Sequence, residues 1–176
     1  MTKFARTSIL PVLTILASAA AAETLAHDYK LVGEGGVALG TITLTQAPRG
    51  LIVRIDASGL QPGWHGMHFH SVATCADAGF KASGGHVHDA AVTAPVHGLL
   101  NPNESDRGDL PNIYVGSDGK AHAEVFAPGL SLGPADGRLN LLDADGSAVV
   151  IHAGADDHMS QPIGGAGARI ACAAIK

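Results

Sequence analysis

The sequence has few basic residues. Its 176 residues include 11 lysines and arginines against 16 aspartates and glutamates, so the formal net charge is −5 with neutral histidines. Nucleic acids and anionic lipid surfaces are bound mainly through clustered lysine and arginine side chains. The charge balance therefore argues against both as partners.

A long hydrophobic run is also missing. The main apolar stretch, residues 9–17, is interrupted by Pro11 and Thr14. It is shorter than the roughly 20 residues that a membrane-spanning helix needs. No second run of this kind occurs, so we expect no membrane anchor once the N-terminal segment is removed.

That N-terminal segment has the three parts of a secretory signal peptide. Lys3 and Arg6 precede the apolar stretch, and the small residues 20–22 follow it as a cleavage site. We therefore expect residues 1–22 to be a signal peptide and residues 23–176 to form a protein that is periplasmic or otherwise exported. Loss of the two basic residues changes the net charge from −5 to −7.

The mature chain lacks internal repeats, low-complexity segments and linkers, which predicts a single domain. Its 23 glycines, 9 prolines and short runs of valine, isoleucine and threonine favour many short strands over helices. About eight antiparallel strands in one small domain imply a β-sandwich or barrel. The candidate strands are residues 29–32, 37–45, 51–56, 64–70, 112–115, 121–126, 139–142, 148–152 and 169–175.

Two further segments stand out between these strands. The dipeptide Asp118-Gly119 predicts a hairpin between the strands at 112–115 and 121–126. Residues 71–111, by contrast, have no sustained period and are rich in glycine, alanine, histidine and aspartate. So long a loop inside a compact domain is either functional or disordered, and its histidines indicate a functional loop.

Histidines alternate with apolar residues in the candidate strand at 64–70. Successive side chains of a strand point to opposite faces, so His68 and His70 share one face while Met67 and Phe69 share the other. We therefore expect an apolar core on one side of this strand and two imidazoles on the other.

Three more histidines stand beside structurally special residues. His86 follows two glycines, His97 precedes Gly98, and His152 ends a strongly apolar strand. With the pair above they provide enough imidazole nitrogens for a four-nitrogen copper site, because copper(II) binds nitrogen more tightly than other divalent first-row metals do. His27 and His122 are expected to be solvated instead.

Cys75 and Cys172 are the only two cysteines. In an exported chain two cysteines favour a disulfide, which here would tie the long loop to the last strand. The competing interpretation is a thiolate copper site, but neither cysteine has a histidine and a methionine at blue-copper spacing.

Taken together, the motifs resemble the copper-zinc superoxide dismutase family in its exported bacterial form. They occur in the family's order over nearly the whole mature chain. The matching segments are His-Gly-Met-His-Phe-His at 65–70, Cys75, Gly-Gly-His at 84–86, His-Gly-Leu-Leu-Asn-Pro at 97–102, Gly-Asp-Leu-Pro at 108–111, Ile-His-Ala-Gly at 151–154 and Gly-Gly-Ala-Gly-Ala-Arg-Ile-Ala-Cys at 164–172.

The resemblance implies an eight-stranded antiparallel Greek-key barrel with two long loops that hold copper and zinc outside it. It implies dismutation of superoxide to dioxygen and hydrogen peroxide. The oligomeric state stays open, with a homodimer as one alternative. Asp156 would link copper and zinc ligands from outside the coordination spheres, Arg169 would align the substrate anion, and His86 would supply a proton. The implied copper ligands are His68, His70, His86 and His152.

The implied zinc site departs from the family pattern. His86, His97 and Asp109 match zinc ligands, but Asp106 stands where the family usually has a histidine. Zinc accepts carboxylate oxygen as well as histidine nitrogen, so we expect Asp106 to complete the site. The nearby additional His88 is the competing ligand, and a weak or altered zinc site is the further alternative.

Two other functions are compatible with parts of this pattern. A non-catalytic exported copper carrier needs only the ligands and has no use for Arg169. An adhesion or interaction domain on the same fold would not need the copper ligands. If the chain is an enzyme with a charge of −7, attraction of superoxide must be local, and we expect Arg169, Lys81 and Arg107 to supply it.

Overall fold

The structure is a computed structural model that describes residues 26–135 and 137–176. The predicted signal peptide, residues 1–22, lies outside the described residues. Within the described ranges, no helix is both long and apolar enough to cross a membrane.

Antiparallel strands form most of the domain. Seven of them build one sheet in the order β5-β10-β11-β1-β2-β3-β7, while β4 pairs with β6 and β8 pairs with β9. The strands are β1 (Ala26–Gly33), β2 (Ala38–Ala47), β3 (Gly50–Ser58), β4 (Gly63–His65), β5 (Met67–His70), β6 (Ile113–Val115), β7 (Lys120–Pro128), β8 (Leu130–Ser131), β9 (Leu139–Asn140), β10 (Ser147–His152) and β11 (Arg169–Ile175). The all-β prediction is thus confirmed.

Alternating apolar residues in β2 and β3 build one side of the core. Ile42 and Leu44 are fully buried, as are the alternate residues Leu51, Val53 and Ile55 of the neighbouring strand. Each burial removes apolar side-chain surface from water and contributes roughly 1.5–3 kcal/mol. The apolar residues that alternate along both strands in the sequence are therefore the ones that the core buries.

Strand β10 is buried on both faces. Val149 and Ile151 pack into the main core, whereas Ala148 and Val150 lie under Phe80 of the long loop in a second cluster. A strand that is covered on both faces has a continuous run of apolar residues in its sequence, as β10 does. The long loop therefore covers the outer face of the sheet.

Three predicted elements differ from the structure. The strand at 64–70 is two strands, β4 and β5, divided at Gly66, whose N–H donates to Gly154 and whose oxygen accepts from His152. A Cβ at Gly66 would lie 2.9 Å from that of Ala166, so the division also needs a residue without a side chain.

The other two differences concern strand pairing. The Asp118-Gly119 turn forms, but β6 pairs with β4 rather than with β7, so the predicted hairpin ladder is wrong. The strand at 139–142 is the short β9, which pairs in parallel with β8. For β6, a distant segment thus competes successfully with the neighbour in sequence, whereas β9 pairs with β8, the strand that precedes it in the chain.

Candidate metal centre

Strands β5 and β10 place three imidazoles on the outer face of the sheet. His68 lies opposite Val150, and His70 lies opposite Ala148. Met67 and Phe69 point into the core with no exposed surface, as the alternation predicts. His152, at the end of β10, projects on the same side as His68 and His70, and its ring centroid is 4.9 Å from that of His68.

The long loop supplies a fourth imidazole by pairing with the edge of β5. Ser71 N–H donates to Gly85 oxygen at 2.9 Å and Val87 N–H donates to Phe69 oxygen at 2.9 Å. His86 between them forms a bridge with His70. The Gly-Gly-His segment is therefore held as if it were a short additional strand.

These four imidazoles fit a metal ion. His68, His70, His86 and His152 each offer a nitrogen, and the four nitrogens lie within 4.8 Å of one another. Each of the four residues also has one buried ring nitrogen without a hydrogen-bond partner in the described part of the chain. Unpartnered buried polar atoms are costly, so four of them in one cluster indicate a binding site for a metal ion that accepts nitrogen lone pairs.

The remaining ring nitrogens have partners that fix the orientation of each ring. His70 Nδ1 lies 2.9 Å from Gly84 oxygen and His152 Nδ1 lies 2.9 Å from Gly167 oxygen. Both nitrogens must donate to these carbonyls, which leaves Nε2 as the free lone pair. His68 is turned the other way, because its Nε2 bonds an aspartate and its Nδ1 is free.

Burial keeps three of these imidazoles neutral. It lowers the pKa of His70 to about 2 and that of His152 to about 4, although the hydrogen bonds that the two rings donate to backbone carbonyls oppose this shift. Burial also lowers the pKa of His68, although Asp156 opposes this shift. Neutral imidazole is the form that binds a metal cation.

A second group of donors shares His86 with the first. His86, His97, Asp106 and Asp109 offer ligand atoms within 4.8 Å of one another, and all four are buried. Asp109 Oδ1 lies 3.0 Å from His86 Nδ1 and 2.8 Å from His97 Nδ1, while Asp106 Oδ2 lies 3.1 Å from His86 Nδ1. Two imidazoles and two carboxylates at these distances suit zinc.

Without a metal, protons balance the carboxylates of this second group. Burial alone would lower the pKa of His97, but hydrogen bonds to Asp109 and Asp156 raise it to about 10. Burial is likewise outweighed at His86, whose pKa is raised by Asp106 and Asp109. A divalent cation would replace these protons as the balancing charge.

Asp156 connects the two groups. One oxygen lies 2.7 Å from His68 Nε2 and the other lies 3.1 Å from His97 Nε2. Burial would raise the pKa of this carboxyl, but the two histidines hold it well below its usual range. The structure therefore brings the predicted linking residue to the place between the two donor groups.

His88 lies beside the second group and takes no part in it. Its Nδ1 is 2.9 Å from His86 oxygen, and its backbone forms a bridge with Asp106. His27 and His122 are exposed, as predicted, and His122 pairs with Asp56 across β3 and β7 at 2.7 Å.

Arg169 begins β11 and reaches back to the long loop. Its guanidinium donates to the carbonyl oxygens of Phe80 and Gly84, at 2.7 and 2.8 Å, and to Ser83 Oγ at 2.9 Å. Partial burial lowers its pKa, which the charge of Asp77 opposes. The two other predicted cations, Lys81 and Arg107, are exposed.

The two cysteines form a disulfide between the long loop and β11. Cys75 and Cys172 have Cα atoms 5.7 Å apart and are joined. The predicted pairing is confirmed, and a thiolate copper site is excluded because both sulfurs are bonded.

Sequence reasoning missed several residues that hold the donors. Asn112 bonds both the N–H and the oxygen of Asp156, each at 2.8 Å, and Gln161 does the same for His97 at 3.0 and 2.8 Å. The position of Asn112 directly after the Gly-Asp-Leu-Pro motif was a usable signal. The roles of the carbonyl oxygens of Gly84 and Gly167 could not be recognised from the sequence, because every residue has a backbone carbonyl.

A curled antiparallel sheet with buried imidazole and carboxylate donors on its outer face is the architecture of a β-protein that binds copper and zinc. The chain belongs to the copper/zinc superoxide dismutase family, whose model matches residues 38–175. It is 56% identical to the "Superoxide dismutase [Cu-Zn]" of Caulobacter vibrioides over 137 residues, which is 78% of each chain.

Two solved structures share its fold. A superoxide dismutase-like protein from Bacillus subtilis is 39% identical, with a TM-score of 0.77 over 85% of this chain and 98% of that one. The Cu/Zn superoxide dismutase from Brucella abortus is 29% identical, with a TM-score of 0.68 over 86% of this chain and 100% of the other. The predicted Greek-key fold is therefore confirmed.

Proposed function

We propose that this protein converts superoxide to dioxygen and hydrogen peroxide as a copper-zinc superoxide dismutase. The observation that carries the proposal is the set of four unpartnered nitrogens on His68, His70, His86 and His152. Copper bound there would supply the one-electron redox couple that carries an electron from one superoxide to another. Two superoxide ions and two protons are consumed for each dioxygen and hydrogen peroxide formed.

His86 is the residue suited to move a proton in this reaction. Its Nδ1 is oriented by Asp106 and Asp109, so its Nε2 faces the other three imidazoles with no partner in the described residues. A ring held in this way can carry a proton at Nε2 without changing its position. Its pKa is raised by the same carboxylates, which favours the protonated form.

Arg169 would bind and align the substrate anion. A half-buried guanidinium with its position fixed by three hydrogen bonds is a preorganised cation, and such a cation costs no reorganisation when an anion arrives. A copper carrier has no need of it, and this favours the enzyme over the carrier.

For zinc we propose His86, His97, Asp106 and Asp109. Support for Asp106 over His88 comes from its position inside the buried donor group, while the Nδ1 of His88 is used by a backbone oxygen. Two carboxylates in place of one add negative charge beside copper, which stabilises copper(II) relative to copper(I).

We also propose that the protein is exported. The disulfide between Cys75 and Cys172 supports this, since disulfides persist in oxidising compartments such as the periplasm. Detection of the mature chain, beginning near residue 23, in a periplasmic extract would test this proposal.

The experiment that decides the function is a dismutation assay on the purified mature chain loaded with copper and zinc. The expected result is superoxide decay well above the uncatalysed rate, with hydrogen peroxide formed at half the rate of superoxide loss, and His152→Ala should lose this acceleration. Copper binding without turnover would identify a carrier, and absence of copper binding would identify an interaction domain.

A further inference from the structure

One short turn, residues 77–84, holds both Arg169 and a histidine of the copper group. Arg169 Nη2 donates to Gly84 oxygen at 2.8 Å, and the same oxygen accepts the Nδ1 hydrogen of His70 at 2.9 Å. Arg169 Nη1 donates to Phe80 oxygen at 2.7 Å, near the middle of the turn. The positions of both side chains therefore depend on the conformation of this turn.

The backbone of the turn is strained. Gly79 and Phe80 have φ angles of +71° and +52°, in the left-handed region that phenylalanine rarely adopts. Phe80 is 2% exposed and packs in a cluster with Val150 and Cys172, so burial anchors its ring. Such a conformation persists only where the surrounding contacts enforce it.

Asp77 provides the contacts that close the turn. Its backbone oxygen accepts the N–H of Phe80 at 3.1 Å, and its Oδ2 accepts the N–H of Ala82 at 3.1 Å. Its Oδ1 is buried and has no hydrogen-bond partner among the described residues. A hydrogen bond from a backbone N–H to an ionised carboxylate is charge-assisted and stronger than one between neutral groups, so this bond favours the closed turn.

We propose that Asp77 is a positioning residue, whose carboxylate closes the 77–84 turn and thereby holds Arg169 and His70 where a small anion binds beside copper. The proposal rests on the proposed function for the anion and the copper, but the closing of the turn stands without it. Asp77 touches neither substrate nor metal ligand in this scheme. It acts through the turn.

The first test uses the metal-free protein with its disulfide intact. Lys81 is exposed within the turn, so trypsin cleavage after it, followed by mass spectrometry, measures how often the turn opens. One lost hydrogen bond is expected to raise this rate about fivefold in Asp77→Ala. Asp77→Asn keeps an oxygen acceptor for this bond, so its cleavage rate is expected to remain within about twofold of the wild-type rate.

Asp89→Ala is the matched control for this test. Asp89 accepts the same kind of bond, since its Oδ1 accepts the N–H of Ala91 at 2.9 Å, in an exposed part of the loop outside the segment that Arg169 bonds. It should leave cleavage after Lys81 unchanged. Equal cleavage of Asp77→Ala and wild type would overturn the proposal, and Asp77→Ser, too short to reach Ala82, serves if the alanine variant does not fold.

The second test measures azide binding to the copper(II)-loaded protein by absorption titration. Asp77→Ala and Asp77→Asn both remove the negative charge near Arg169, but only Asn keeps the oxygen acceptor for Ala82 N–H. Asp77→Ala is therefore expected to bind azide about fivefold more weakly than Asp77→Asn at equal copper content. Equal azide affinity of the two variants, with the turn opened in Asp77→Ala, would overturn the positioning role. If wild type binds no copper or azide, the proposed function fails, and the cleavage test still decides the turn.

Discussion

Arg169 shows how a single residue can serve structure and chemistry at once. Its hydrogen bonds to the turn fix the guanidinium, and the same turn holds His70. We expect Arg169→Ala to lower the dismutation rate by about 10- to 100-fold, the equivalent of one or two charge-assisted hydrogen bonds to the anion. Arg169→Lys keeps the positive charge but lacks the planar guanidinium, so its dismutation rate should lie between those of wild type and Arg169→Ala.

Stopped-flow measurement of superoxide decay checks this prediction, with copper content determined for each variant. Full copper occupancy with a lowered rate is the expected combination. A rate equal to wild type in Arg169→Ala would show that the residue only holds the turn.

Asp106 is the second residue with a specific prediction. If its carboxylate completes the zinc site, Asp106→Ala should release zinc at a lower chelator concentration than wild type, while copper stays bound. His88→Ala is the matched control, since His88 is adjacent but outside the donor group. Metal analysis after graded chelator treatment gives the result. Unchanged zinc in Asp106→Ala, with zinc lost in His88→Ala, would reverse the ligand choice.

At the scale of elements, the centre is built where two strands and a loop meet. Strands β5 and β10 carry three imidazoles on a face that the loop covers, and the loop is fastened to β11 by Cys75 and Cys172. Strands provide donors at fixed spacing, while the loop provides donors that a regular strand could not bring close. The disulfide limits how far the loop can move away.

Removal of this disulfide should therefore affect stability strongly. The cysteines are 97 positions apart, and closing such a loop in the unfolded chain is worth up to about 4–5 kcal/mol on the chain-entropy estimate. We expect the Cys75→Ser, Cys172→Ser double variant to lose a large part of that amount in urea unfolding of the metal-free protein. Wild type with a reductant should match it, and a stability unaffected by either treatment would contradict the prediction.

At the scale of the whole molecule, the net charge opposes the approach of superoxide. The full chain carries −5 and the proposed mature chain −7, and either repels an anion, so local cations must provide attraction. Lys81 lies exposed on the turn that holds Arg169 and is the best placed of them. We expect Lys81→Ala to lower the rate at low salt by a few-fold, and the difference to vanish near ~0.5 M salt because screening shortens the range of the charge.

Lys120→Ala is the control for this effect. Lys120 is equally exposed but lies on β7, at the opposite edge of the sheet from β5. It should change the rate little at any salt concentration. A wild-type rate near the diffusion limit that falls steeply with salt would show a positive channel beyond these residues.

The buried imidazoles also set the stability of the metal-free protein against pH. The pKa of His152 is lowered to about 4, so between pH 6.5 and 4 the unfolded chain holds a proton at this histidine that the folded chain does not. The free energy of unfolding should therefore fall as the pH is lowered through this window, by up to about 1.4 kcal/mol per pH unit for that residue. Urea unfolding at several pH values checks this, and His152→Gln should reduce the slope.

The sequence by itself determined the faces of its strands and the identity of most donors. Alternation in β2, β3 and β5 depends only on the geometry of an extended chain, so Phe69 in the core and His68 outside it followed without any partner being known. The imidazoles were also recognisable, since their spacing and neighbours are local properties of the chain.

Only the tertiary structure decided which atoms of those residues are free. Each imidazole has two nitrogens, and its partner comes from a distant segment, such as the carbonyl of Gly167 for His152 or the carboxylate of Asp156 for His68. The pairing of β4 with β6 could not be predicted from the sequence for the same reason. Local pattern fixes the direction of a side chain, whereas the contact that orients it depends on how remote parts of the chain pack together.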